Sequence, residues 1–172
     1  MNLIITCARS LESETKNEIK KILDELGDQE PKILNVGMRG ILMVNTVIEP
    51  SKIIDLVKNK IIEEPWLIRY CLRIIPIQSL TETNIDKIKE NVIKLKDSIK
   101  KNDSYRITIE KRNASIPTNE IITEIAKIFP NKVSLNNPDL IVLIEILGAK
   151  TGISILKNSE LFSLDKSKRM SD

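Results

Sequence analysis

The segment Leu140–Leu147, LIVLIEIL, most constrains what this chain can fold into. It is nearly all apolar and lacks the polar alternation of a strand with one wet face. It therefore reads as a strand covered on both faces. Its neighbours fit such a module. Tyr105–Glu110 alternates like a strand, and Thr151–Leu156 reads as a last strand. Pro117 and Thr118 start a helix with Ile122, Ile125, Ala126 and Phe129 on its buried face, and Pro130 ends it. An earlier helix, capped by Thr81 or Thr83, turns Ile85, Ile88, Val92, Leu95 and Ile99 inward and Lys87, Lys94, Lys96 and Lys101 outward. From about Asn158 the chain is polar and is expected to fray.

The first half has a different rhythm. Leu3–Cys7 is a short apolar strand. Ser10 can cap the following helix, where Glu12 and Glu14 suit the positive N-terminal end. Ile19, Ile22, Leu23 and Leu26 repeat at helical spacing, and Gly27 supplies a left-handed stop. Strands around Lys32–Val36 and Ile41–Asn45 flank a Gly37–Gly40 turn. Pro50 opens a second helix with Ile53, Val57 and Ile61 on one side, and Trp66–Ile75 reads as one long strand ended by Pro76. On that reading Trp66 and Tyr70 share a face and pack in the core. The order β-α-β-β-α-β is that of a ferredoxin-like module. The expected division is residues 1–78, residues 79–158 and a polar tail over 159–172.

Composition narrows the chemistry. At 41% hydrophobic and 30% charged residues, the chain can build a core without staples. Cys7 and Cys71 sit in apolar stretches without metal-type spacing and read as buried thiols, which fits a reducing, cytoplasmic compartment. The N-terminus lacks a basic region and a long apolar run, so no signal peptide is expected, and no stretch approaches a membrane span. There is no histidine, which removes the commonest general base and zinc ligand. None of the five glycines forms a phosphate-cradling loop. No catalytic residue, metal site or cofactor is expected. The net charge of +3 lies in the second half, and Lys94–Arg112 holds seven basic and three acidic residues.

The most informative stretch reads YRITIEKRNASIPTNEIITEIAKIF followed by NKVSLNNPDLIVLIEILG, residues 105–148. A strand ending in Lys111-Arg112, a capped helix, and Asn137-Pro138-Asp139 leading into a buried strand resemble the second half of a THUMP domain, the module found beside several tRNA-modifying enzymes. WLIRYCLRIIPI and the helix from Thr81 also resemble the family, whose usual companion is a ferredoxin-like domain. Ser134 departs from the pattern, where an acidic residue is expected. Within the family, LRIIPI at Leu72–Ile77 and IEKR at Ile109–Arg112 are most similar to the stand-alone adaptors of tRNA cytidine N4-acetylation. Enzymatic members continue into a catalytic domain, whereas this chain stops shortly after its last strand.

The resemblance implies an α+β protein in which a ferredoxin-like module packs against a THUMP α/β module. It also implies a non-enzymatic adaptor that holds the acceptor-stem end of tRNA for a tRNA cytidine acetyltransferase. Two alternatives stay open: a THUMP subunit for another tRNA-modifying enzyme, such as a methyltransferase or thiolation enzyme, and a ferredoxin-like structural or regulatory subunit without RNA. On strand parity Arg106, Thr108, Glu110 and Arg112 share a face, as do Arg69 and Arg73. Guanidinium forks match phosphate oxygens. The candidate RNA-binding set is Arg69, Arg73, Arg106, Lys111, Arg112, Asn113, Lys132, Asn137 and Lys150. Lys111 and Arg112 are read as exposed and removable without cost to the fold. Asn137-Pro138-Asp139 reads first as a structural turn.

Overall fold

The computed structural model describes residues 2–169. The chain forms two compact units, one running to Pro76 and resuming at Ser159, the other spanning Ile77–Asn158.

In the first unit the expected order appears: β1 (Leu3–Cys7), α1 (Glu12–Glu25), β2 (Lys32–Asn35), β3 (Ile41–Asn45), α2 (Pro50–Glu63) and β4 (Cys71–Pro76). The strands lie as β2-β3-β1-β4, the ferredoxin-like arrangement, with every pairing antiparallel. Leu3 and Ile5 point from β1 to one face, where Ile19, Ile22 and Leu23 of α1 and Ile53, Val57 and Ile61 of α2 complete a core. Each such side chain contributes about 1.5–3 kcal/mol on full burial. Ile4, Ile41 and Ile75 are buried as well. Gly40 carries a requirement in the β2–β3 connection. Its φ is +75°, and a Cβ there would lie 2.6 Å from the Cys7 carbonyl oxygen. Cys7 and Cys71 are free, buried thiols, and burial raises the pKa of both.

Three expectations for this unit need correction. Ser10 does not cap α1: it adopts φ +70°, and Leu11 takes the cap position without a side-chain bond. The segment Trp66–Ile75 is not one strand. Pro65–Leu67 forms a single 3-10 turn and β4 begins at Cys71. The reason is Glu18 on α1, whose carboxylate accepts the backbone N–H groups of Arg69, Tyr70 and Cys71 at 2.8, 3.2 and 2.8 Å. A side chain thus replaces the strand ladder there, and Trp66 is 60% exposed, not in the core. The polar tail is not frayed over its described part. Phe162–Ser163 forms β9 on the free edge of β4, with Phe162 opposite Ile74, and Leu164–Arg169 forms α5. Phe162 and Leu164 are the apolar residues that fasten it into the first unit's core.

The second unit contains β5 (Ser79–Glu82), α3 (Ile85–Leu95), β6 (Tyr105–Arg112), α4 (Thr118–Ala126), β7 (Leu140–Leu147) and β8 (Lys150–Leu156), ordered β5-β8-β7-β6 in the sheet. β6 and β7 are parallel with α4 between them, and β7 turns antiparallel into β8. All eight residues of β7 are buried, as the sequence pattern requires. Val142, Ile144 and Ile146 face Ile88 and Val92 of α3 and Ile121 and Ile125 of α4, with the Tyr105 and Phe129 rings 5.1 Å apart in the same core.

Two local expectations shift here. Residues 79–82, expected to precede a helix directly, pair with β8 as an edge strand, so Thr81 lies in a strand. Asn84 caps α3 instead, accepting the N–H groups of Asp86 and Lys87 at 2.9 and 3.2 Å. The buried face of α4 is set one residue back: Ile121 and Ile125 are covered, whereas Ile122 and Ala126 are exposed.

Because the tail is held by Phe162, the substitution Phe162→Ala should destabilise the protein by about 3–5 kcal/mol, the usual loss for a buried aromatic. Urea unfolding measures it; an unchanged midpoint would mean that the tail contributes nothing to the fold.

Candidate nucleic-acid interface

The parallel pairing of β6 with β7 carries the chain out of the sheet at Lys111-Arg112, beside the β7–β8 hairpin. Arg112 lies opposite Leu147, which lies opposite Lys150 on its other side. Residues paired across strands share a face, so Arg112 and Lys150 flank Leu147 about 10 Å apart, two strand spacings. Asn113 then adopts φ +54°, exposed and left-handed, a conformation asparagine tolerates well. The Arg112 carbonyl accepts the Gly148 N–H at 2.8 Å, which ties the strand end to the hairpin. Lys111 is exposed and its Nζ donates to the Ile116 carbonyl at 3.2 Å. Next to this end lies a cavity of about 480 Å³ lined by Asn84, Ala114, Ser115, Gly148 and Ala149 among others. The signal for it in the sequence is faint: small residues following a strand end.

Arg112 has a second commitment. Its guanidinium lies 3.6 Å from a Glu145 carboxylate oxygen, and the Glu145 side chain is fully buried while that of Arg112 is 32% exposed. A buried carboxylate is costly without a counter-charge. The expectation that Lys111 and Arg112 are both dispensable to the fold therefore does not extend to Arg112.

The remaining candidates lie elsewhere. Arg106 shares the Arg112 face, but at the start of β6 about 20 Å away, given the strand rise. Its terminal nitrogen donates to the Leu135 carbonyl at 3.0 Å and braces the loop before β7. Lys132 and Asn137 are exposed on that loop. Asp139 is a staple: it accepts the Ser104 N–H at 2.8 Å and hydroxyl at 3.0 Å, and these bonds hold its carboxyl below the ordinary range. Arg69 and Arg73 belong to the first unit and share no strand face. Arg69 is exposed on the turn before β4, with Nε donating to the Trp66 carbonyl at 3.1 Å, and Arg73 is half-buried within β4 between Thr6 and Ser163. Within the second unit the structure thus brings Lys111, Arg112, Asn113 and Lys150 to one end of the sheet, with Lys111 on the face opposite Arg112, and sets Arg106, Lys132 and Asn137 toward the other end. Of the α3 lysines, Lys89, on the flank toward α4, is engaged more closely than the expected outer ones. It meets Glu124 at 2.7 Å, and hydrogen bonds from Lys127 and Lys89 lower the Glu124 carboxyl to about 2. Among the described residues no group of three potential metal ligands converges, and no helix is long and apolar enough to cross a membrane.

Comparison with known proteins places this geometry. Residues 82–156, within the second unit, match the family model of the THUMP domain. The uncharacterized protein MJ0421 of Methanocaldococcus jannaschii is 28% identical over 98% of this chain, which spans 44% of that protein's length. Among solved structures, PH1313 from Pyrococcus horikoshii superposes with a TM-score of 0.66 at 19% identity, covering 91% of this chain and 55% of its own. A 4-thiouridine synthetase–RNA complex with bound ATP gives 0.60 at 13% identity over 95% of this chain and 42% of that one. TrmN from Thermus thermophilus gives 0.61 at 9% identity over 90% and 45%. Both units therefore recur together as a fold, and this chain spans about half or less of the relatives it resembles.

Two measurements separate roles within the site. Lys111→Ala should change stability by no more than about 0.5 kcal/mol. Arg112→Ala should cost about 1–3 kcal/mol, because it strips a counter-charge from buried Glu145. Equal urea midpoints for the two variants would show that the ion pair is inert.

Asp139 predicts a pH effect. Its folded carboxyl is held below the unfolded value of 3.8, so its contribution is complete above that value and is lost as pH falls through the lower folded one. Acid unfolding of Asp139→Asn should lack that component, and an identical profile to the parent would remove Asp139 from the staple.

Proposed function

We propose that the chain is a tRNA-binding module that holds the acceptor-stem end through its phosphates and presents it to a separate modifying enzyme. The observation that carries this reading is the THUMP match over residues 82–156. It is supported by the recurrence of the two-unit fold in a synthetase solved with RNA. The grip would centre on Lys111, Arg112 and Lys150 at the end of β6, with Asn113 and the adjoining cavity receiving backbone. A-form shape and an unpaired end would set the preference, because base edges in the deep groove of duplex RNA are out of side-chain reach.

The enzyme served is, in this proposal, the tRNA cytidine N4-acetyltransferase, on the strength of the IEKR and LRIIPI segments. The chain itself contributes no catalytic group; with no histidine, it lacks the commonest general base. A second reading has one observation in its favour. The matching folds include a 4-thiouridine synthetase and a protein described as a methyltransferase, and in this second reading the enzyme served belongs to a thiolation or methyl-transfer system. Nucleoside analysis of tRNA from a strain lacking this chain distinguishes them: loss of N4-acetylcytidine supports the first, and loss of a thiolated or methylated nucleoside the second.

Binding to tRNA should weaken steeply with salt, each phosphate adding roughly 0.7 to 0.9 to the log–log slope. Lys111→Ala should reduce affinity for all tRNAs alike, since phosphate contacts carry no base information. A flat salt response would favour a structural subunit without RNA. Incubation of the pure chain with acetyl-CoA, ATP and tRNA should leave cytidine unmodified, and N4-acetylcytidine formed by the chain alone would overturn the non-enzymatic reading.

A further inference from the structure

The first unit has a groove of about 550 Å³ between α1 and the turn that precedes β4. Trp66 lines it with 60% of its surface exposed. The exposed indole offers a face on which another planar ring can stack. The turn beneath it is held firmly. Leu67 N–H donates to the Glu64 carbonyl at 3.0 Å, Arg69 Nε holds the Trp66 carbonyl, and Glu18 secures the next three N–H groups. The ring is thus displayed on a rigid support, as in sites where ordering has been completed before binding.

The charges of the groove are unevenly committed. Glu18 is engaged by backbone donors, and Glu25 is paired with Lys60 at 2.7 Å. Three carboxylates and three cations line the groove, so its formal charge is zero; among the described residues Lys21, Arg69 and Glu14 have no ion-pair partner in it and lie beside an exposed aromatic face. Only Nε of Arg69 has a bonded partner among the described residues, so its terminal nitrogens are available to an anion. An exposed planar ring in the same groove as a guanidinium with free terminal nitrogens suits a nucleotide, with the base on the indole and the phosphate on the guanidinium. The volume lies in the range of small-ligand sites.

We propose that this groove binds an unpaired RNA nucleotide, its base stacked on Trp66 and its phosphate held by Arg69 and Lys21. The inference deepens the tRNA-binding reading and rests on it. It adds a second contact, chemically unlike the phosphate grip at the end of β6.

Trp66 is the chain's single tryptophan, so its emission reports on this groove alone. The intact protein is titrated with tRNA, with a short oligoadenylate and with a blunt RNA duplex, following fluorescence and, separately, anisotropy of labelled RNA. tRNA and oligoadenylate should quench Trp66, and the duplex should not. Trp66→Ala should weaken oligoadenylate binding about 5- to 150-fold, the range of base–aromatic stacking, whereas Trp66→Phe should retain most of the affinity. Because the ring is exposed, both variants should unfold at the parent's urea midpoint. Binding of tRNA with unchanged Trp66 emission would overturn the proposal, leave the tRNA-binding reading intact and give the groove to a protein partner. Absence of any tRNA or oligoadenylate binding would overturn both.

Discussion

The second unit is organised around a strand with no face turned to water. Every residue of β7 is buried, so its backbone groups must be satisfied laterally, by β6 on one edge and β8 on the other. The parallel partner requires a crossover, which α4 supplies, and α4 brings Ile121 and Ile125 over the sheet. The antiparallel partner needs only the Gly148-Ala149 turn. These two connections bring the end of β6 and the start of β8 to the same end of β7, and so Arg112 and Lys150 to either side of Leu147. The same burial encloses Glu145, and the nearby Arg112 guanidinium helps to offset its desolvation. One cation therefore belongs both to the fold and to the candidate interface.

Carboxylates perform a comparable task at several turns. Glu18 gathers three backbone N–H groups before β4. Glu12 accepts the Gly40 N–H at 2.6 Å, and Asp28 meets the Thr46 hydroxyl and the Val47 N–H. Asp139 does the same for Ser104. Each stands where strand pairing stops and donors would otherwise be left unsatisfied. Glu18 has the largest consequence. By ending the ladder at Cys71 it converts the segment before it into a surface turn and turns Trp66 outward. A cationic strand end and an exposed indole, the two proposed RNA contacts, both follow from backbone constraints set elsewhere.

The periodic elements were legible from the amino-acid order. Ile19, Ile22 and Leu23 mark one helix and Ile53, Val57 and Ile61 another, because a 3.6-residue repeat of apolar side chains has one way to bury itself. The βαββαβ order and the enclosed strand at 140–147 were equally readable, and so were Lys111-Arg112 as a strand end and Asp139 as a turn residue. Less legible were short features with little periodicity. Four residues at 79–82 carry too few side chains to distinguish an edge strand from a helix leader, and Asn84 caps α3 where Thr81 or Thr83 were equally suitable by chemistry. In α4, consecutive isoleucines at 121 and 122 left the buried face uncertain by one position until the sheet beneath it was in place.

By itself the sequence determined the type and order of the main elements and the cationic character of the β6 end. These depend on local periodicity, on backbone preference and on residue type. Only the tertiary structure decided which residues close the edges, which donors a distant carboxylate would take, and which cation would face a buried acid. Glu18 reaches donors 51 to 53 positions away, and Phe162 pairs with a strand formed by residues 71–76. Such contacts have no period, because they are set by the spatial closure of the chain and not by spacing along it.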